Sequence, residues 1–313
     1  MNIGKSNCKI PTLIQSLGQF KSNNLYIKRD DLLPFSFGGN KARKAMCFLD
    51  EIERTKSDCV ITYGSNSSNH CRIIANMAAS LKIKCIIISP EEDDESTFNL
   101  QMLNCFGADV IRCSISNVSK TIEQTVDLMK KQGFSPYFIQ GGGHGNLGTQ
   151  AYVDCFSEIL NYERNNGIHF DYIFHASGTG TTQAGLVCGK LLNNSDVKII
   201  GISIARKNPR GKQIVVDSVS EYMTSIGFME DYSGQVEFID DYVLDGYGKY
   251  NIEIDQTIQN VLIDYGIPLN RTYTGKAFWG MRKFLERENI ENKNILFIHT
   301  GGTPLFFDYL RGI

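Results

Sequence analysis

Short apolar, β-branched runs recur along the chain at 59–63 (CVITY), 84–89 (KCIIIS), 108–113 (ADVIRC), 136–140 (PYFIQ), 171–176 (DYIFHA), 197–203 (VKIIGIS) and 294–299 (NILFIH). Between them the apolar spacing is helical, predicting helices near 41–53, 69–81, 97–106, 118–132, 147–163, 182–193, 208–227, 255–265 and 274–289. Strands that alternate with helices in this way are the signature of parallel α/β architecture. At 313 residues and 42% hydrophobic content the chain can bury a large core, and its length suggests about two domains. A glycine cluster, Gly141-Gly142-Gly143-His144-Gly145, interrupts the pattern midway and suits a hinge or a backbone that approaches a ligand closely. One crossover is placed there and another near Lys41. Residues 46–146 are then expected to form a small inserted α/β domain, with 1–45 plus 147–313 forming the larger one. Ligands of such folds collect at strand carboxyl ends.

Composition narrows the function. With a net charge of −2 and interspersed signs, nothing favours nucleic acid or a membrane surface as partner, so a small molecule is expected. The opening stretch MNIGKSNCKIPTLIQSL has no long apolar core, and no run approaches the ~18 apolar residues of a membrane span, so a cytosolic location is expected. Nine cysteines, Cys8 among them, occur without any C-x-x-C pair, which argues against a disulfide framework or a zinc knuckle. The histidines His70, His169, His175 and His299 lack metal-ligand spacing and read as core residues or residues behind a site; no metal is expected.

The run Phe37-Gly38-Gly39-Asn40-Lys41-Ala42-Arg43-Lys44 places a lysine at a helix start after flexible backbone. At a positive helix end, beside Arg43 and Lys44 and shielded from water, the Lys41 ammonium is disfavoured, and the free amine can hold an aldehyde as a Schiff base. The ordinary alternative is a solvated surface lysine. Three strands then end in small polar loops that run into helices, where backbone amides and the helix dipole favour anions. The loop Ser177-Gly178-Thr179-Gly180-Thr181-Thr182 combines close backbone approach with hydroxyls, as a phosphate dianion requires; an ordinary tight turn is the other reading. It is neither G-x-G-x-x-G nor a Walker loop, and the following strand ends at Ala205-Arg206 instead of an acid for a ribose. Tyr63-Gly64-Ser65-Asn66-Ser67-Ser68-Asn69-His70 offers donors for a substrate carboxylate, while Ser67 or Ser68 equally suits a helix N-cap. His299-Thr300-Gly301-Gly302-Thr303 adds hydroxyls, and Tyr273 stands at a helix start where the dipole eases phenolate formation.

Together the motifs IKRDD (27–31), FGGNKARK (37–44), SNHCR (68–72), SGTGTTQAG (177–185), GYG (246–248), TYTGKA (272–277) and HTGG (299–302) resemble, in order, the fold-type II pyridoxal-phosphate enzymes. Within these they resemble the family of 1-aminocyclopropane-1-carboxylate deaminase and D-cysteine desulfhydrase, over almost the whole chain. The resemblance implies two open, twisted, mostly parallel sheets with the cofactor, pyridoxal 5'-phosphate, between the domains, and a homodimer. It implies Lys41 as the Schiff-base lysine and catalytic base, Gly178, Thr179, Gly180, Thr181 and Thr182 as the phosphate cup, and Asn69 as partner of the ring oxygen. Ser68, Tyr273 and Tyr247 match catalytic positions. Ser68, Asn69, His70 and His144 are expected around the substrate, His144 being an unusual titratable group in the glycine loop.

Cyclopropane opening uses, in this resemblance, a glutamate after the tyrosine and an apolar residue before the last Gly-Gly; here those positions are Thr274 and Thr300. A threonine hydroxyl donates to a neutral pyridine nitrogen and leaves a weaker electron sink than a carboxylate does, which suits β-elimination. The expectation is a desulfhydrase-like lyase that gives keto acid, ammonia and sulfide from a small amino acid. Its alternatives are deaminase-like ring opening, β-replacement on a specialised amino acid, a non-catalytic ligand-binding homologue, and a nucleotide-dependent oxidoreductase.

Overall fold

The computed structural model describes residues 11–91 and 97–311; Cys8 and the first ten residues of the opening stretch lie outside the described residues. In chain order the strands are β1 (Ile14–Phe20), β2 (Asn23–Lys28), β3 (Cys59–Tyr63), β4 (Lys84–Pro90), β5 (Asp109–Cys113), β6 (Pro136–Phe138), β7 (Tyr172–Ser177), β8 (Lys198–Ser203), β9 (Glu237–Ile239) and β10 (Asn294–Ile298). The helices are α1 (Asn40–Thr55), α2 (Asn69–Leu81), α3 (Phe98–Cys105), α4 (Val118–Lys131), α5 (Asn146–Asn166), α6 (Thr181–Leu192), α7 (Arg210–Ser225), α8 (Ile252–Tyr265), α9 (Thr274–Arg287) and α10 (Thr303–Leu310). They form a six-stranded sheet ordered β1-β2-β10-β7-β8-β9 and a four-stranded sheet ordered β5-β4-β3-β6. Every pairing is parallel except that of β1 with β2. The expected α/β class with two mainly parallel sheets is therefore observed.

The large sheet is apolar on both faces because helices cover both. Ile173, Ile199, Leu296 and Ile298 pack with Tyr152 and Phe156 of α5, Val187 of α6 and Val219 of α7. Their strand neighbours Phe174, Ile200, Ile295 and Phe297 point the other way, onto Ile258 of α8 and Phe278 and Met281 of α9. In the small sheet, Val60 packs on Phe48 and Leu49 of α1 and on Ile73 and Met77 of α2. Cys59, Ile61, Ile86 and Ile88 face Met129 of α4. Three strands and one helix had no sequence signal: β1 and β2 (IQSLGQF, NNLYIK) carry polar residues and Gly18, and β9 has three residues. Helix α10 is short and opens on Thr303-Pro304.

A buried charge network sets where α1 begins. Asp30, fully buried, accepts from Arg43 Nε and Nη2 (3.1 and 2.8 Å), Thr12 Oγ1 (2.7 Å) and the Tyr152 hydroxyl (2.7 Å). Glu158 of α5 receives Arg43 (2.6 Å) and Lys28 Nζ (2.6 Å). Burial alone pushes the Asp30 carboxyl up, but Arg43, Lys28 and the donated hydrogen bonds outweigh it and hold Asp30 well below the usual carboxylate range. Arg43 thereby ties the first turn of α1 to the end of β2 and to α5.

Candidate active site

The carboxyl ends of β3, β7 and β10 open onto one cavity of about 640 Å³, with the start of α1 and the loop after β6 completing its wall. Lys41, Ser68, Asn69, His70, Gly178, Thr179, Gly180, Thr182, Tyr247, Tyr273 and Thr300 all line it. Thr181, Thr274 and His144 are not among the lining residues. Among the described residues the wall carries Lys41, Arg206, Lys207 and Arg210 and no carboxylate, so the cavity is built for anions.

Lys41 is the second residue of α1, and its approach depends on glycine. Gly39 has φ 93°, and a Cβ there would lie 2.6 Å from the Thr300 carbonyl; a Cβ on Gly301 would lie 2.5 Å from Gly39 Cα. The two backbones interlock, which brings the lysine against the loop after β10. Lys41 Nζ donates to the Gly142 carbonyl at 2.9 Å. Burial, then the nearby Arg206 guanidinium, push its pKa down to about 8. The sequence placed Arg43 beside this amine; the structure corrects that, because Arg43 is committed to Asp30 and Glu158. The depressed pKa has a kinetic consequence. Covalent attachment of an aldehyde cofactor to apoprotein requires the free amine, so its rate should rise as pH rises through about 8. A free lysine would put that rise near ~10.4. Stopped-flow absorption against pH reads the midpoint.

Helix α6 starts at the expected phosphate loop, and among the described residues no side chain caps its first turn, which leaves its leading N–H groups available to an anion in the cavity. Gly180, at φ 101°, makes the turn. Asn40 Nδ2 donates to Thr182 Oγ1 (3.0 Å) while its backbone N–H donates to the Thr300 carbonyl (3.0 Å), linking α1, α6 and the loop after β10. Arg206 donates to the Gly178 carbonyl. The Thr181 hydroxyl is turned the other way, accepting from Lys44 Nζ at 2.6 Å. Lys44 is buried, and burial, with Lys41 nearby, holds its pKa well below the ordinary lysine value.

On the opposite wall, Ser68 is the N-cap of α2, its Oγ accepting from Cys71 N at 3.2 Å. Capping uses the oxygen as acceptor and leaves the hydroxyl proton free to donate into the cavity. Asn69 Oδ1 accepts from Asn99 Nδ2 (3.0 Å), so its amide NH₂ remains the donor. His70 Nε2 is 2.8 Å from Thr62 Oγ1, and Thr62 gives its own proton to the Ile139 carbonyl (2.7 Å). His70 therefore donates from Nε2. Burial, with Lys41 and Lys44 adding to it, keeps its pKa well below the ordinary histidine value, so the ring is neutral.

The Tyr273 and Tyr247 hydroxyls meet at 2.5 Å, with the rings edge to face. The eased phenolate expected of Tyr273 is overturned. Burial, then Tyr247, raise its pKa well above the ordinary phenol value, so this group keeps its proton. Thr274 Oγ1 accepts from Asn270 N and Nδ2 (both 3.0 Å) and is buried off the wall, whereas Thr300 lies on it. His144 is half-buried in the glycine loop, and burial, followed by Lys44, lowers its pKa. His144→Ala should leave the substrate profile unchanged; an altered kcat/KM ratio between two substrates would contradict this. Of the other histidines, His175 and His299 are buried but His169 is exposed, between Glu163 and Asp196. Sequence reasoning missed Asn40 and Arg206 as lining residues; Arg206 was visible only as the unexpected end of the strand at 197–203.

The uncapped α6 amides, the donors around them and a desolvated lysine amine fit a phosphorylated aldehyde, and on this fold they define a pyridoxal-phosphate enzyme of fold type II. The chain belongs to the family of pyridoxal-phosphate dependent enzymes, which matches residues 6–301. It is 32% identical over 304 residues to the D-cysteine desulfhydrase of Yersinia pestis (strain Pestoides F), covering 95% of this chain and 92% of that one. The D-cysteine desulfhydrase of Serratia proteamaculans (strain 568) is 30% identical over 308 residues, at 95% and 92% coverage. A crystal structure of an ACC deaminase homologue superposes with a TM-score of 0.86 at 31% identity, covering 97% of this chain and 93% of that one. A cysteine synthase of Entamoeba histolytica shares the fold, with a TM-score of 0.66 at 15% identity, covering 96% of this chain and 88% of that one. Among the described residues no helix is long and apolar enough to cross a membrane, and no cluster of three or more His, Cys, Asp or Glu could hold a metal ion.

Proposed function

We propose that the chain catalyses a D-cysteine desulfhydrase-like α,β-elimination on a small β-substituted amino acid, releasing keto acid, ammonia and sulfide. The observation that carries this reading is a cavity wall lined by cations and hydroxyls without a carboxylate among the described residues, with Thr300 on that wall before the last Gly-Gly. In this reading the amides of residues 178–182 hold the cofactor phosphate, Asn69 donates to the ring oxygen and Thr300 to the ring nitrogen. Lys41 anchors the aldehyde. When bound, pyridoxal phosphate supplies the electron sink for the bond that breaks at the α-carbon.

The side chains then bind, orient and move protons. Ser68 and Asn69 donate to the substrate carboxylate from the start of α2. His70, neutral and fixed through Nε2 on Thr62, stands behind them. Lys41 Nζ, held on the Gly142 carbonyl when free, takes the α-proton. Tyr273, kept protonated by burial, donates a hydrogen bond to the departing thiolate or polarises Lys41, and Tyr247, at hydrogen-bond distance from it, supports that hydroxyl. Water completes hydrolysis to the keto acid and ammonia.

The division into residues 1–45 plus 147–313 and 46–146 is part of the same proposal, supported by the small sheet taking all its strands from within that insert. A homodimer in the cytosol is its remaining part and rests on the family resemblance and the sequence. The test is to incubate holoenzyme with D-cysteine, L-cysteine and 1-aminocyclopropane-1-carboxylate and assay sulfide and keto acid. Equal amounts of sulfide and pyruvate from D-cysteine support the proposal. No sulfide or pyruvate from D-cysteine or a related β-substituted amino acid sinks it, and keto acid from the cyclopropane alone would favour ring opening.

A further inference from the structure

Lys276 is a fully buried cation to which the chemistry above gives no task. It is the third residue of α9, and its ammonium donates to two backbone carbonyls, Val243 at 3.0 Å and Gly246 at 3.0 Å. A buried lysine is ordinarily matched by a carboxylate, because carbonyl dipoles repay less of its desolvation. Here both hydrogen-bonded acceptors are carbonyls of one loop, and that loop carries Tyr247. Val243 and Leu244 pack into the core at the start of the segment, but its far end, around the tyrosine, is loosely held. Gly246 and Gly248 flank the tyrosine at φ 123° and 74°, neither has a neighbour within 4 Å of where a Cβ would sit, and Tyr247 is 44% exposed. Yet the Tyr247 hydroxyl lies 2.5 Å from that of Tyr273.

Tyr273 and Lys276 are three residues apart at the start of α9, and positions so spaced lie on one side of a helix. The same helical turn therefore supplies one hydroxyl of the pair and the cation that holds the backbone next to the other. We infer that Lys276 is a positioning residue that latches the Val243–Gly246 segment to α9 and so sets the Tyr247 hydroxyl against that of Tyr273 at the cavity wall. The ammonium suits the task because it has three donors on a long stem and can serve two diverging carbonyls at once. The consequence for turnover rests on the proposed role of the tyrosine pair; the latch itself does not.

The experiment joins two readouts on the holoenzyme. Amide hydrogen exchange across residues 243–248 should speed up about tenfold or more in Lys276→Met, with protection in the core of α9 unchanged. In kinetics, Tyr247→Phe should lower kcat by about 10²-fold. Lys276→Met should fall toward the same level, and the double variant should fall no further than Tyr247→Phe alone. If Lys276→Met does not fold, Lys276→Leu, which also removes every donor, is read in the same way. Unchanged exchange in the loop, or losses that multiply in the double variant, overturn the latch. A Tyr247→Phe enzyme with full activity removes the proposed role of Tyr247 instead, and the exchange data then decide the latch alone.

Discussion

Lys41→Ala should lose turnover by about 10⁴-fold or more and should bind the cofactor without covalent attachment, since in the proposed mechanism one amine serves as both anchor and base. The comparison that gives this force is Lys44→Ala. Both lysines sit near the start of α1 with depressed pKa values, and burial is the main cause for each. They differ in where the amine points: Lys41 Nζ faces the cavity and the Gly142 carbonyl, whereas Lys44 Nζ is spent on the Thr181 hydroxyl. Borohydride treatment of the two variants should therefore fix cofactor to Lys44→Ala and not to Lys41→Ala. The reverse result would exchange their roles.

The second large effect concerns folding. Asp30→Ala removes the carboxylate shared by Arg43, Tyr152 and Thr12 and leaves Arg43 and Lys28 buried with Glu158 as their remaining acid. Breaking a buried pair from one side costs about 3–5 kcal/mol, which chemical denaturation would show as a lower midpoint at unchanged slope. The pH dependence has a definite sign. Because the folded-state pKa of Asp30 is depressed, its contribution is complete above the ordinary carboxylate value of ~3.9 and is lost as pH falls toward the folded value. Wild-type and Asp30→Ala stabilities should thus converge in strong acid and stay apart at neutral pH. A constant difference down to strong acid would mean that the network is not held by this charge. Since Arg43 lies two residues from Lys41, a partly folded Asp30 variant should also bind cofactor poorly.

What the sequence could show follows from the kind of signal each feature leaves. The inner strands β3 and β4 of the small sheet and β7, β8 and β10 of the large one are buried on both faces, so their apolar runs stand out in the residue order; β1, β2 and β9 mix polar with apolar positions or are too short to register. The loops that line the cavity were legible because they need glycine and hydroxyl residues at helix starts, a local demand. Side-chain direction is not local. Nothing in SGTGTTQAG says that the Thr181 hydroxyl turns to Lys44 while Thr182 meets Asn40, or that Thr300 reaches the wall while Thr274 turns to Asn270. The protonated state of Tyr273 was misread for the same reason. The helix dipole is visible in the sequence, but the burial and the neighbouring Tyr247 that overcome it exist only in the fold.

In the proposed site one lysine, Lys41, anchors pyridoxal phosphate. The most direct test is to record the visible absorption of the purified wild-type protein, reduce it with borohydride and map the added mass by peptide analysis. A visible band from lysine-bound aldehyde is expected, bleached by reduction, with the mass on Lys41. No band even after added pyridoxal phosphate, or the mass on Lys44 or another lysine, would contradict it.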